Sequence, residues 1–306
     1  MAKCLVLGGN GFLGAGLVDE LASRGHDVSV FDRFSRLPPS FSEGPRLIAG
    51  DFLAADAVAA AVKGQEFVFH FLSATTPASA DAEPGRDVRD NLAPSVALFE
   101  ACVRAGVRHV YFASTGGAVY GDTPAGAVNE ETRPQPVSPY AIGKLAIEGY
   151  LAYFGRKHGL ASTSFRISNP YGPRQRALNS HGVIPTFLSR ARADLPISVL
   201  GDGTSVRDFV YADDAVRMIV DVVGRQTDHA VYNIGSGVGT SLAQLLKIVS
   251  EVTGHSSPVE YLPEPATFVH RSVLDTSRYS REFSPGPLLP LREGIERTWH
   301  GMARRS

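Results

Sequence analysis

Lys3-Cys4-Leu5-Val6-Leu7-Gly8-Gly9-Asn10-Gly11-Phe12-Leu13-Gly14 is the stretch whose reading decides the fold. The run Lys3–Leu7 reads as a buried strand, and Phe12–Arg24 carries a helical pattern of apolar residues. Between them the glycines are spaced GxxGxxG. Gly8 permits a tight turn, Gly11 lets backbone N–H groups approach a pyrophosphate, and Gly14 allows the helix to pack closely on the strand. The helix N-terminus itself favours an anion. A strand, glycine turn and helix in that order predict a dinucleotide site.

Outward from this stretch, short β-rich runs alternate with helical ones. Strands are expected at Lys3–Leu7, Val28–Asp32, Arg46–Ala49, Phe67–Phe71, His109–Ala113 and Ser162–Ile167. Helices are expected at Phe12–Arg24, Ala54–Val62, Val88–Ala105 and Pro139–His158. Apolar strands alternating with helices imply a parallel sheet covered on both faces, wound doubly because crossovers are right-handed. The expected fold class is therefore α/β, a doubly wound parallel (Rossmann) sheet with a smaller α/β substrate-binding domain. The first domain is placed at 1–168, with 206–236 returning to it, and 169–306 forms mainly the second. Ligands of such sheets bind at the carboxyl ends of the strands.

Bulk properties set the class. The chain has 306 residues, 43% hydrophobic and 20% charged, with a formal net charge of −1. No basic field argues for nucleic acid or an anionic membrane, and the Arg304-Arg305 pair reads as a solvated end. Cys4 and Cys102 read as buried free thiols of a reducing compartment. Glycines break the first apolar run within a few residues, so neither a signal h-region nor a spanning segment is expected. A cytoplasmic enzyme is the class these features imply. His70, His109 and His158 lack ligand spacing, so no metal is expected.

Asp32 ends the second strand about 20 residues beyond the glycines. Its carboxylate suits the adenosine ribose hydroxyls and repels a 2′-phosphate, which favours NAD; Arg33 and Arg36 supply the contrary NADP signal. Asp51 either meets the adenine amino group or caps a helix. Tyr140-Ala141-Ile142-Gly143-Lys144 lies in a helical segment, and residues four apart share a face. A neighbouring ammonium lowers a phenol's pKa, which makes Tyr140 a usable base and leaves Lys144 to hold the nicotinamide ribose as well. A hydroxyl from Ser114 or Thr115, at the end of the fifth strand, completes the expected catalytic group.

Together these residues resemble the extended short-chain dehydrogenase/reductase family of nucleotide-sugar epimerases and dehydratases. GGNGFLG, Asp32, Gly50-Asp51, Asn91, ASTGGAVYG (113–121), YAIGK, RISNPYGPRQ (166–175), GDGTSVRDFVYADD (201–214) and NIGSG (233–237) occur in the family's order. The likeness is greatest to the branch holding UDP-glucose-type 4-epimerases of polysaccharide gene sets. It implies a tightly bound NAD lined by Gly8, Gly11, Phe12, Leu13, Gly14, Asp32, Arg33, Asp51, Phe52, Phe71, Asn91, Tyr140 and Lys144. It also implies that Asn169 and Arg207 face a substrate diphosphate and that Tyr171 through Arg174 shape the sugar pocket. Asp208 and Asp213 then organise their loop. A homodimer pairing the helices Val88–Ala105 and Pro139–His158 follows by the same likeness, although their apolar stripes equally suit a core.

Two departures stand out. The family's catalytic Ser or Thr stands four residues before the YG tyrosine, where this chain has Gly116; Thr115, one residue earlier, is the expected substitute. An Arg-x-x-Asp-Val segment before Leu274-Asp275 is missing, and Arg271 is displaced from it. Dehydratases and decarboxylases of the family carry Asp-Glu or Ser-Glu before Val-Tyr-Gly, whereas this chain has Gly117-Ala118, and a methyl group transfers no proton. The expected reaction is 4-epimerisation of a UDP-hexose, with a net reductase or dehydrogenase as the enzymatic alternative and an NAD-sensing binding protein as the non-enzymatic one. The arginines between Arg174 and Arg192, with His181, suggest UDP-glucuronate as a variant substrate.

Overall fold

The computed structural model describes residues 1–35, 41–42, 44–123, 126–175 and 182–303. Arg36, Arg176, His181 and the Arg304-Arg305 pair lie outside the described residues. Two compact units are present. The first comprises Met1–Thr115, Pro136–Arg166 and Ile219–Tyr232; the second comprises Gly116–Gln135, Ile167–Met218 and Asn233–Ser306.

The first unit is built on a seven-stranded sheet. Its strands are β1 (Lys3–Leu7), β2 (Asp27–Asp32), β3 (Arg46–Ala49), β4 (Phe67–His70), β5 (His109–Thr115), β6 (Ala161–Ile167) and the later strand Val231–Ile234. From that later strand the order runs through β6, β5, β4, β1 and β2 to β3. The pairs β1–β2, β1–β4, β2–β3 and β4–β5 are parallel. Strand order reverses between β1 and β4, and such a reversal is where α/β sheets open to ligands. Leu7 is in register with Phe31 and with His70. Gly8, Asp32 and Phe71 therefore leave the sheet side by side at one edge.

The core of this unit is the apolar stack expected of a sheet buried on both faces. Leu5, Leu7, Val68, Val110 and Phe112 pack against Leu98, Phe99 and Cys102 of the helix Ala93–Ala105 and Ile147, Leu151 and Phe154 of the helix Pro139–His158. Both cysteines are free and buried. Ser138 caps the helix Pro139–His158 through the Ala141 N–H, and Pro139 occupies the first turn. Gly159 ends it in the left-handed conformation.

The segment expected as one helix from Val88 differs. Val88–Leu92 is a π-helical turn that feeds the α-helix Ala93–Ala105. A short helix, Pro77–Ala82, precedes it, set by a capping box of Thr76 and Ser79.

In the second unit, the strand Val206–Tyr211 pairs with Gly239–Ser241, with Arg271–Ser272 and with Asn169–Tyr171. A separate pair joins Ile197–Leu200 to Val259–Leu262. Its core holds Tyr171, Phe187, Leu188, Phe209, Leu245 and Ile295. Among the described residues no helix is long and apolar enough to cross a membrane, and none form a cluster that could hold a metal ion.

Candidate active site

The glycine turn explains itself atom by atom. Gly8 has φ +80°, which L side chains rarely adopt, and its Cα faces the Leu72 backbone so closely that a Cβ would lie 2.8 Å away. A Cβ on Gly14 would lie 2.1 Å from the Gly8 carbonyl oxygen. The helix Phe12–Ser23 begins at Gly11 with no side-chain cap and no acidic residue in its first turn. Its first amides have no carbonyl partner within the helix, so Phe12, Leu13 and Gly14 present N–H groups that suit a pyrophosphate. Asp32 accepts from the Asn10 N–H at 3.2 Å and the Phe34 N–H at 3.4 Å, which holds the carboxylate beside the turn. Arg33 is exposed. These residues fit a dinucleotide carrying a free adenosine 2′-hydroxyl.

Two further residues of the expected cofactor set, Asp51 and Phe52, follow β3. Phe52 is a core side chain, 4% exposed and stacked obliquely on His70 with centroids 5.2 Å apart. Asp51 is exposed and accepts from the Leu53 N–H at 3.0 Å, a local turn ahead of the helix Ala55–Val62. Phe71, half-buried, donates its N–H to the Leu7 carbonyl at 3.1 Å and abuts Gly8.

On the helix Pro139–His158, Lys144 is 7% exposed and donates to the Ala113 carbonyl at 2.9 Å. Its ammonium lies 4.8 Å from the Phe112 ring centroid and 5.8 Å from that of Tyr140. The two side chains share a face, as their spacing requires. Their electrostatics differ from expectation, however. Burial, and then the Asp87 carboxylate, push the Tyr140 phenol up to about 12. Burial lowers Lys144 to about 8, against the pull of Asp87 and Glu148. Desolvation, not the lysine, sets the direction of the phenol here.

The two candidate hydroxyls of β5 separate. Ser114 is buried and donates to the Glu148 carboxylate. Glu148 also holds Arg166 in a buried pair, Nη2 to Oε2 at 2.7 Å, with side chains 8% and 7% exposed. Ser114 thus belongs to a buried hydrogen-bonded group with Glu148 and Arg166. Thr115, partly exposed, has no hydrogen bond on its hydroxyl among the described residues.

Asn91 sits on the π-helical turn and is 6% exposed. Its Oδ1 accepts from the Ala74 N–H at 2.7 Å, and its Nδ2 donates to Thr75 and Asp87. A small pocket beside it is lined by His70, Leu72, Asp87, Asn91, Gly143, Lys144 and Ile147. Asn91 therefore holds the wall of the lysine pocket. Sequence reasoning passed over Asp87, Thr75 and the Glu148–Arg166 pair. Gly143 was the available signal, since a glycine inside a helix is costly unless something must come close.

In the second unit, Asn169 donates to the Asp208 carbonyl at 3.0 Å. Asp208 is fully buried and accepts from Ser236, Gly237 and Leu274, the loop-organising part expected of it. The Arg207 guanidinium donates to the carbonyls of Val206, Val269 and His270, with the Phe268 ring centroid 5.7 Å away. Arg271 turns instead to the Gly126 carbonyl at 3.1 Å. Arg174 lies half-buried in the turn after Tyr171. Arg190 and Arg192 donate to the carbonyls of Pro196 and Trp299.

The pattern that defines the NAD dependent epimerase/dehydratase family matches residues 4–235. The chain belongs to that family. Family membership makes it an enzyme fold whose cofactor is NAD. A UDP-glucose 4-epimerase of Mycolicibacterium smegmatis is 33% identical over 303 residues, 97% of each chain. The solved UDP-glucose 4-epimerase of Thermotoga maritima, in complex with UDP-glucose, matches with a TM-score of 0.92 at 34% identity over 99% of each chain. That of Thermus thermophilus, complexed with NAD, gives 0.91 at 32% over 98% of each. Relatives of other reactions align as well, among them a dTDP-4-dehydro-6-deoxyglucose reductase of Escherichia coli, 28% identical over 96% of this chain.

Proposed function

We propose that the enzyme inverts C4 of a nucleotide-linked hexose of the UDP-glucose/UDP-galactose type. The observation that carries this reading is the Tyr140–Lys144 pair on one helical face, with a Thr115 hydroxyl left free at the end of β5. The sequence around that hydroxyl supports it. Gly117-Ala118 offers no acid or base for dehydration or decarboxylation, so only the hydride-transfer part of the family's chemistry is equipped. Relatives named as UDP-glucose 4-epimerases, aligned along nearly the whole chain, favour the same reading.

Tyr140 takes the proton from the sugar 4-hydroxyl while Thr115 donates a hydrogen bond to the same oxygen. NAD, held by the glycine turn, Asp32 and Lys144, would supply the hydride acceptor, and its positive charge would lower the proton affinity of the half-buried Tyr140 phenol. Lys144, anchored on the Ala113 carbonyl, has donors left for the nicotinamide ribose. Once the 4-keto sugar has turned over, Tyr140 would return its proton to the oxygen, restoring the hydroxyl in the opposite configuration. The cycle is redox-neutral, and the cofactor need not leave. A homodimer and a cytoplasmic setting belong to this proposal.

Incubation with a panel of UDP- and dTDP-hexoses, with product stereochemistry read by proton NMR, tests the assignment. Conversion of UDP-glucose and UDP-galactose into each other is expected. Stoichiometric change in nicotinamide absorbance would instead favour a net reductase or dehydrogenase.

A further inference from the structure

Asp87 is a carboxylate with no part in the chemistry above, yet it is 3% exposed and lies against the catalytic helix. Its Oδ1 accepts from the Thr75 hydroxyl at 2.5 Å and from the Asn91 amide at 2.8 Å. Its Oδ2 faces Gly143, where an ideal Cβ would lie only 1.8 Å from that oxygen. A Cβ at position 143 would force the carboxylate to shift. The bare Gly143 leaves room for it on this face of the helix.

The geometry points to Asp87 as a positioning residue, the buried counter-charge that acts through Lys144 and Tyr140 and sets the charge state of that pair. The inference rests on the reading of Tyr140 as the acid/base group. A buried ammonium needs a compensating anion, and the other charged groups around it are committed elsewhere. On the same helix, Glu148 is bound by Arg166 of β6 and by Ser114 of β5. On β4, His70 is held neutral, lowered to about 3 by burial and by Lys144 itself, with its Nε2 on Ser95. β5 offers only the Ala113 carbonyl. On the neighbouring helices Asp81 is exposed, Asp90 pairs with Arg86, and Glu100 pairs with Arg104 at the surface. Among the described residues, Asp87 is the neighbouring carboxylate with no ion pair of its own, and it acts on Lys144 alongside the already paired Glu148. Its field acts on both partners in one sense, raising the phenol and opposing the loss of the lysine's proton.

Asp87→Asn tests this because it keeps an oxygen for Thr75 and Asn91 and removes only the charge. Phenol and lysine should both titrate at lower pH by roughly one unit, and the limbs of the pH–rate profile that report them should move acidward with them. A second readout needs no turnover. The tyrosinate absorbance of residue 140, taken as the difference between each protein and its Tyr140→Phe counterpart, should titrate lower by a similar amount. Limbs and absorbance that stay in place while turnover merely falls would show a structural role and overturn the inference. Should Asp87→Asn not accumulate as folded protein, Gly143→Ala decides, since its methyl displaces the carboxylate; the same acidward shift is expected, and an unmoved profile overturns it. Tyr140→Phe keeps the two readings apart. If that variant turns over like wild type, the acid/base assignment fails. If it is inactive while the Asp87→Asn limbs stay fixed, only the counter-charge inference fails.

Discussion

Gly14→Ala puts the cofactor end to the most quantitative test. The new Cβ would sit 2.1 Å from the Gly8 carbonyl oxygen and 2.9 Å from the Gly8 carbonyl carbon and the Gly9 Cα. All three are backbone atoms that no rotamer change can move. Ordinary contact begins near 3.4 Å, so the helix start must recede from the turn by about 1 Å in an interior packed like a crystal. Overpacking of this kind costs about 1–3 kcal/mol of stability. Losing one charge-assisted bond from the helix N-terminus to the pyrophosphate costs roughly 1.5–3 kcal/mol more in binding, or about 10–150-fold in NAD affinity. Isothermal titration with NAD and a thermal melt measure the two effects separately. Gly149→Ala is the control, because nothing lies within 4 Å of its Cβ position. It sits inside the helix Pro139–His158 and should gain about 0.5–1 kcal/mol with NAD affinity unchanged. A Gly14→Ala protein that binds NAD within threefold of wild type would refute this account of the turn.

Glu148→Ala strands a buried guanidinium on Arg166 and should cost about 3–5 kcal/mol in a urea melt; a loss below about 1 kcal/mol would mean the pair is solvated. Acid should destabilise the first unit through His70 and His109, lowered by burial to about 3 and about 4. Both are depressed below their unfolded value, so the unfolded chain binds the extra protons as pH falls from about 6.5. Each histidine then removes about 1.4 kcal/mol per pH unit until its folded pKa is reached. Urea melts from pH 7 to 5 measure this, and His70→Gln should flatten the slope by one proton. Asp32→Ala removes the acceptor for the Asn10 and Phe34 N–H groups. It should weaken NAD about tenfold while NADP binding improves, as titration with each cofactor would show.

The parallel sheet and its glycine turn were legible because local pattern and global fold agree there. Cys4–Leu7 is wholly buried, and Gly8 and Gly14 have no steric alternative. Tyr140 and Lys144 were legible for the same reason, since helical spacing alone puts them on one face. What escaped depends on contacts far apart in sequence. Ser114 and Thr115 are adjacent hydroxyls, and only Glu148, 34 residues later, shows which one is taken. Asp51 and Phe52 follow the third strand, but the Asp51 turn with Leu53 and the packing of Phe52 on His70 leave no mark in the sequence. The phenol's raised proton affinity was misjudged because a sequence shows a neighbouring cation and hides burial. The π-helical turn at Val88–Leu92 has no compositional mark that separates it from ordinary helix.

The most direct measurement follows one hydrogen. UDP-glucose carrying deuterium at C4, incubated with the enzyme and its bound NAD, should give UDP-galactose that keeps the deuterium at C4, with no lasting change in nicotinamide absorbance. Loss of the label to solvent, or one reduced nicotinamide accumulating for each sugar consumed, would contradict a hydride taken from and returned to the same carbon.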